Sequence, residues 1–194
     1  MFKASYYSEA ELRALGLAEV GERVRISRKA SIYGAGNIVV GNDVRIDDFC
    51  VLGAGEGGIH IGSFVHIAVY CSLIGRARIV LEDFSGLSSR VSVYSSSDDY
   101  SGEKLTNPTV PPELAGVQHA EVVVGRHVIV GAGSVLLPGA VLEQGAAVGA
   151  LSLVRDRCQA FGVYFGSPAR KIGERKRDLL ALEERVLAGS RRRP

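Results

Sequence analysis

An aliphatic side chain returns at every sixth residue over most of this chain. Within residues 122–154 the positions are Val124, Val130, Leu136, Leu142, Val148 and Val154. A helix repeats every 3.6 residues and a strand every two, so neither alone accounts for a step of six. Followed back along the chain, the same step joins Val20, Ile26 and Ile32; Val40, Ile46 and Leu52; Ile61, Ile67 and Leu73; and Leu81, Leu87 and Val93. Between these groups of three the step widens to 8, 9, 8 and 31 residues, then returns to 6 after Leu136. Extra residues therefore enter only after every third unit. Three units make one turn of a coil, and one corner of that turn accepts insertions.

A second column runs four residues after each anchor. It reads Val24, Ala30, Gly36; Val44, Cys50, Glu56; Val65, Cys71, Ala77; Ser85, Val91, Ser97; Val128, Ser134, Ala140; and Ala146, Ser152, Cys158. All but Glu56 are small. The pairing predicts a three-sided coil of short parallel strands, six coils over residues 20–158, with one bulky and one small side chain filling each rung. Each buried anchor contributes roughly 1.5–3 kcal/mol before entropy, and strands of successive coils lie about 4.8 Å apart. Cys50, Cys71 and Cys158 all fall in the small column. They read as buried apolar thiols, and their spacing fits neither a zinc knuckle nor a disulfide framework.

The sequence on either side of the coil supplies its covers. Ser8-Glu9-Ala10-Glu11 has capping-box spacing and predicts a short helix over 9–15 that ends at Gly16. Leu179, Leu180, Leu182, Val186 and Leu187, set among charges, predict an amphipathic helix over 174–188. The organisation expected is an N-terminal cap at 1–19, the coil at 20–158 with a protruding loop at 94–123, and a C-terminal segment at 159–194. A net charge of +2, from 23 basic and 21 acidic residues, gives no basis for binding nucleic acid or a membrane surface. The opening MFKASYYSEAEL has no apolar signal core, and no apolar run reaches 18 residues, so a soluble, cytoplasmic protein without membrane insertion is expected. Arg191, Arg192 and Arg193 read as a solvated basic tail.

The repeated [Leu/Ile/Val]-Gly-x-x-small-x unit, three to a coil, resembles the hexapeptide-repeat acyltransferases, and covers about 70% of the chain. The resemblance implies an all-β left-handed parallel β-helix, a hand opposite to the usual crossover rule. "GSPARKI" at 166–172 resembles the ending of the galactoside and maltose acetyltransferase branch, found also in sugar acetyltransferases of surface-polysaccharide (lipopolysaccharide) pathways. That branch implies transfer of an acetyl group from acetyl-CoA to a sugar hydroxyl or amine, the sugar being nucleotide-linked or part of a polysaccharide. It implies a homotrimer with sites between subunits, completed by the long loop. Its cofactor contacts map onto Ala132 and Ala150 for the pantetheine arm and onto Arg155 and Arg170 for the CoA phosphates. An arginine suits a phosphate because its planar fork is always charged.

The branch carries a catalytic histidine early in the loop, and here that position is Asp98. A carboxylate is a weak base near neutral pH, and Arg78, at the same index one coil below, would weaken it further by pairing. His119, where the loop rejoins the coil, is a second proton acceptor. A third course needs no side-chain base, since an unprotonated amine can attack a thioester directly; absence of the loop histidine thus favours N- over O-acetylation. Two rival classes share such a coil. A non-catalytic scaffold would bind no CoA. A zinc carbonic anhydrase would need three convergent histidines, for which His60, His66, His119 and His127 are the supply; His66 and His127 read as outward-facing surface residues and His119 lies in the loop, so no metal site is expected.

Overall fold

The computed structural model describes residues 5–190; the basic run 191–193 lies outside the described residues. Among the described residues the strands collect into three long sheets. The first sheet stacks Glu19–Val20, Ile38–Val40, Ile59–Ile61, Ile79–Leu81, Val122–Val124, Val141–Leu142 and Arg157–Cys158. The second stacks Arg25–Ile26, Arg45–Ile46, His66–Ile67, Gly86–Leu87, Ile129–Val130, Ala147–Val148 and Gly162–Phe165. The third stacks Ser31–Tyr33, Val51–Ala54, Ser72–Gly75, Ser92–Tyr94, Val135–Leu136 and Leu153–Val154. Every pairing between these coils is parallel, and the register sets anchor on anchor: Ile46 on Ile67, Leu87 on Val130, Val93 on Leu136. The chain is an all-β parallel solenoid, and the six-residue step is the length of one strand with its turn.

The anchors fill the interior. From Ile26 to Val154 all but Ile32 are buried, and Ile67, Leu87 and Val130 are at most 1% exposed. The small column needs one correction. Gly36, Glu56, Ala77 and Ser97 lie at or near the surface, and the inward partners at those rungs are Ile38, Ile59, Ile79 and Val122. Each stands two residues before the next anchor. Where residues are inserted, the inward position keeps its distance to the strand that follows, because that strand's hydrogen bonds set its register; counting forward from the anchor before the insertion misplaces it. Cys158 shifts for a related reason. It pairs with Leu142 and so takes an anchor's place, with Tyr164 six residues later at the next one. The coil therefore runs on into a seventh turn.

The three corners differ. At the first corner, between sheets one and two, Arg23, Asp43, Phe64, Phe84, His127 and Phe161 all adopt φ between 56° and 60°. At the second, Phe49, Tyr70, Arg90 and Leu151 do so at 57–63°. Left-handed backbone is costly for residues with a Cβ, and stacking between coils offsets it: Phe64 on Phe84 at 4.6 Å, Phe84 on His127 at 5.1 Å, Phe49 on Tyr70 at 4.9 Å. Glycine follows an anchor where coils pass closest; a Cβ on Gly131 would lie 2.4 Å from the Ala150 nitrogen. The third corner takes the insertions, including the long loop.

Both ends are covered. Helix α1 (Glu9–Ala14) has the full capping box, with Ser8 Oγ accepting from the Glu11 N–H and the Glu11 carboxylate accepting from the Ser8 N–H; Gly16 follows in the left-handed conformation. The C-terminal helix is shorter than the sequence suggests. Residues Arg170–Glu174 form a strand antiparallel to Gly162–Phe165, and helix α2 (Leu179–Ser190) begins only afterwards. The open edge of the second sheet claims 170–174 because its backbone groups would otherwise lack partners.

Candidate functional site

The GSPAR segment is seated on the last full coil. The Leu153 N–H donates to the Gly166 carbonyl, the Gly166 N–H to Ser152 Oγ, and the Ala169 N–H to the Leu153 carbonyl. This brings Arg155 and Arg170 together on the wall of one small cavity of about 130 Å³, beside Arg157 and Lys171. Both predicted arginines are exposed. Arg155 reaches Asp156 only at 3.5 Å, and the Arg170 guanidinium has no acidic partner among the described residues.

Ala132 and Ala150 occupy successive turns of the second corner, linked by the Leu151 N–H donating to the Ala132 carbonyl. Both are exposed, and among the described residues neither of their own N–H groups has an acceptor. Two free donors one coil apart suit an extended, amide-bearing chain laid along this corner. Ser89 stands one coil below Ala132 in the same column, its carbonyl accepting from the Gly133 N–H.

The long loop leaves the third corner through a short antiparallel ladder, Ser96–Ser97 against Gln118–His119. Ser96 Oγ accepts from the Arg76 N–H and lies 2.8 Å from His119 Nδ1, so the ring is oriented by the coil. Beyond the ladder, Asp99 gathers the loop: its carboxylate accepts from the N–H groups of Ser101, Gly102 and Lys104 and from the Ser101 hydroxyl, which together hold it below the usual carboxylate range. Asp98 is half-buried, and its carboxylate has no partner among the described residues. The anticipated Arg78–Asp98 bridge does not form. Arg78 turns instead to Glu121 at 3.6 Å, while Arg76 takes Glu56. Glu121 sits on the returning arm of the insertion, a partner that no fixed step of the repeat could reveal.

Within one chain, Asp98 and His119 at the third corner and Ala132 and Ala150 at the second are on different edges of the prism. The second sheet, opposite the third corner, carries a feature the repeat did not signal. A groove of about 280 Å³ is lined by His66, Ala68, Gly86, Ser88, Ser89 and Ile129. His66 Nε2 lies 2.8 Å from Asp47 Oδ2, and Arg45 Nε donates to Asp47 Oδ1 at 2.6 Å. Burial opposes ionisation of Asp47, but the hydrogen bonds and charges of His66 and Arg45 prevail and hold its carboxyl below the usual range.

The histidines do not converge. His60 faces out from the first sheet and His66 from the second, and His119 is in the loop. His127 is not the surface residue its position suggested: it is 8% exposed beneath Phe84, with Nε2 on the Glu183 carboxylate of α2. Burial, then the charges of Arg126 and Arg175, push its pKa below the ordinary histidine value against the opposing pull of Asp83. Among the described residues no group of three histidine, cysteine or acidic side chains is placed to hold a metal.

The chain is 51% identical over 179 residues to the dTDP-4-amino-4,6-dideoxy-D-glucose acyltransferase of Escherichia coli, spanning 92% of this chain and 93% of that one. AntD, an N-acyltransferase from Bacillus cereus solved with dTDP and 3-hydroxybutyryl-CoA, superimposes with a TM-score of 0.92 at 43% identity, over 97% of this chain and 100% of its own. A serine-to-alanine variant of AntD, holding dTDP-4-amino-4,6-dideoxyglucose and coenzyme A, gives 0.93 at 43% identity, over 96% and 100%. A maltose O-acetyltransferase from Clostridium difficile shares the fold, with a TM-score of 0.56 at 18% identity over 87% and 75%. No family model matches the chain.

Proposed function

Because the chain belongs to the hexapeptide-repeat sugar acyltransferases and takes its acyl group from acyl-CoA, we propose that it acylates the amine of a dTDP-linked 4-amino-4,6-dideoxy sugar. The observation that carries this reading is the near full-length similarity to an enzyme of that activity and to a solved N-acyltransferase holding both a dTDP-sugar and CoA. The chemistry of the loop agrees with it. An amine can attack a thioester with little help, whereas a hydroxyl needs a strong base, and the branch's loop histidine is replaced by Asp98.

In this reading the CoA phosphates lie against Arg155 and Arg170, and the pantetheine arm runs down the second corner, accepting hydrogen bonds from the Ala150 and Ala132 N–H groups. The amine nitrogen attacks the thioester carbonyl, the carbon–sulfur bond breaks, and the nitrogen's proton leaves through Asp98 or His119. Those two groups lie on a different edge of the prism from the alanines, which supports a homotrimer in which one subunit's loop meets its neighbour's groove. The lack of any helix long and apolar enough to cross a membrane among the described residues is in keeping with a cytoplasmic enzyme serving surface-polysaccharide synthesis.

The test is thiol release. Incubated with dTDP-4-amino-4,6-dideoxyglucose and either acetyl-CoA or 3-hydroxybutyryl-CoA, the protein is expected to liberate CoA stoichiometrically with N-acyl sugar. The counterpart sugar with a hydroxyl at C4 serves as control. Thiol release no faster with the amine than with the hydroxyl would overturn the assignment.

A further inference from the structure

The inward column at the first corner holds one side chain out of keeping with the rest. Up the prism it reads Val24, Val44, Val65, Ser85, Val128 and Ala146, all buried. The register sets Ser85 between Val65 below and Val128 above, since Gly86 pairs with His66 and with Ile129. Neither valine side chain can accept a hydrogen bond. Ser85 Oγ is the only buried side-chain nitrogen or oxygen without a partner among the described residues. Other buried serines are satisfied: Ser95 Oγ donates to the Ala77 carbonyl at 2.6 Å, and Ser134 and Ser152 donate to the Gly149 carbonyl at 3.0 and 2.8 Å. A buried hydroxyl left unpaired costs stability that an apolar side chain would not.

The backbone departs at the same place. Each carbonyl of this column accepts from the second-sheet strand of the coil below. The bond is 2.8 Å at Val44, 2.9 Å at Val65 and 2.9 Å at Val128, but 3.2 Å at Ala146 and 3.4 Å at Ser85, where the donor is the His66 N–H. It lengthens where the inward side chain shrinks, because an underfilled interior holds the strand less firmly. Ser85 opens the rung that runs through Gly86 and Leu87 to Ser88 and Ser89. Ser89 stands one coil below Ala132, so on the CoA placement proposed above the thioester end of the arm comes to this rung. The same coil goes on to launch the loop that carries Asp98. We infer that Ser85 is a positioning residue for acyl transfer: it keeps this rung loose against the one beneath, so that the rung shifts as amine and thioester close on each other. Reacting groups held about 3–3.5 Å apart have to approach further before the bond forms. The inference rests on the acyltransferase reading and its CoA placement.

Hydrogen exchange and kinetics test it together. In the wild-type protein the His66 amide is expected to exchange about tenfold or more faster than the Arg45 and Gly86 amides, after allowance for their intrinsic rates. Ser85→Val fills the space; it should slow that exchange to their level and raise the thermal midpoint by about 2–4 °C. With dTDP-4-amino-4,6-dideoxyglucose and acetyl-CoA, the same variant should lower kcat about tenfold while both KM values stay within about twofold. Ser85→Ala lacks the hydroxyl but leaves the space, and should retain several times more kcat than Ser85→Val. Wild-type kcat in a stabilised Ser85→Val protein, or equal losses in the two variants, would overturn the role. So would His66 protection equal to that of Arg45, a comparison that needs no variant to fold. A wild-type protein that acylates no amine would overturn the acyltransferase reading and the role with it, whatever the exchange pattern.

Discussion

At the scale of the residue, the clearest expectation attaches to Arg170. Its guanidinium is exposed beside Arg155 and has no carboxylate of its own among the described residues. A charge-assisted hydrogen bond to a phosphate contributes about 1.5–3 kcal/mol. Arg170→Ala should therefore raise the dissociation constant for CoA about tenfold or more, read by isothermal titration; an unchanged constant would remove the phosphate role. Asp98 and His119 separate by their rates across pH. Loss of the group that accepts the amine proton should lower kcat about a hundredfold. If Asp98→Ala and His119→Ala both keep the wild-type profile, the amine attacks unaided.

At the scale of the element, α2 is held at the first corner by Glu183, which takes both Arg126 and His127. His127 resists a proton in the folded state, while in the unfolded chain it accepts one at the ordinary histidine pKa of about 6.5. The unfolded state thus binds more protons below that value, and stability falls as the pH is lowered from 7 to 5. The thermal midpoint should drop over that range, and His127→Gln should make the drop smaller; identical slopes would dissociate the histidine from the effect. This clasp was illegible in the sequence because its partners are 56 residues apart and Glu183, in α2, lies outside the repeat that places His127. The anchors could be read because burial there recurs at a fixed step. The inward isoleucines beside the insertions, the Cys158 register and the His66–Asp47 pair could not, since each depends on how coils of unequal length align. The strand at 170–174 was hidden for another reason: Arg-Lys-Ile-Gly-Glu has neither the six-residue step nor a run of strand-forming residues, and only the vacant sheet edge decides its conformation.

At the scale of the whole molecule, the solenoid spreads its stability along columns of anchors, one column to each of the three sheets. Leu87, 1% exposed in the middle of the second sheet's column, is in contact with coils above and below through Val130 and Ile67. Leu87→Ala should cost about 2–5 kcal/mol in urea unfolding, whereas Ile172→Ala, at a 67% exposed position, should stay within about 0.5 kcal/mol. Equal costs would mean that the columns are not the chief source of stability. Sedimentation should give a particle of three times the 20.6 kDa chain, and a monomer would leave the loop without a groove to enter.

The lid on the second sheet has a consequence beyond this one molecule. Seven parallel rungs with an inward apolar side chain stacked on the one below have the strand stacking of a cross-β fibre, wound from one chain instead of many. What stops it from growing is Arg170–Glu174, laid in the reverse direction across the final rung, and at the opposite pole the Tyr6–Ser27 bridge. A chain cut before Arg170 keeps the cover at the opposite pole and bares only this edge, so it should join copies in pairs, edge to edge, read as a concentration-dependent doubling of mass on sedimentation; only a chain stripped at both poles could stack without limit.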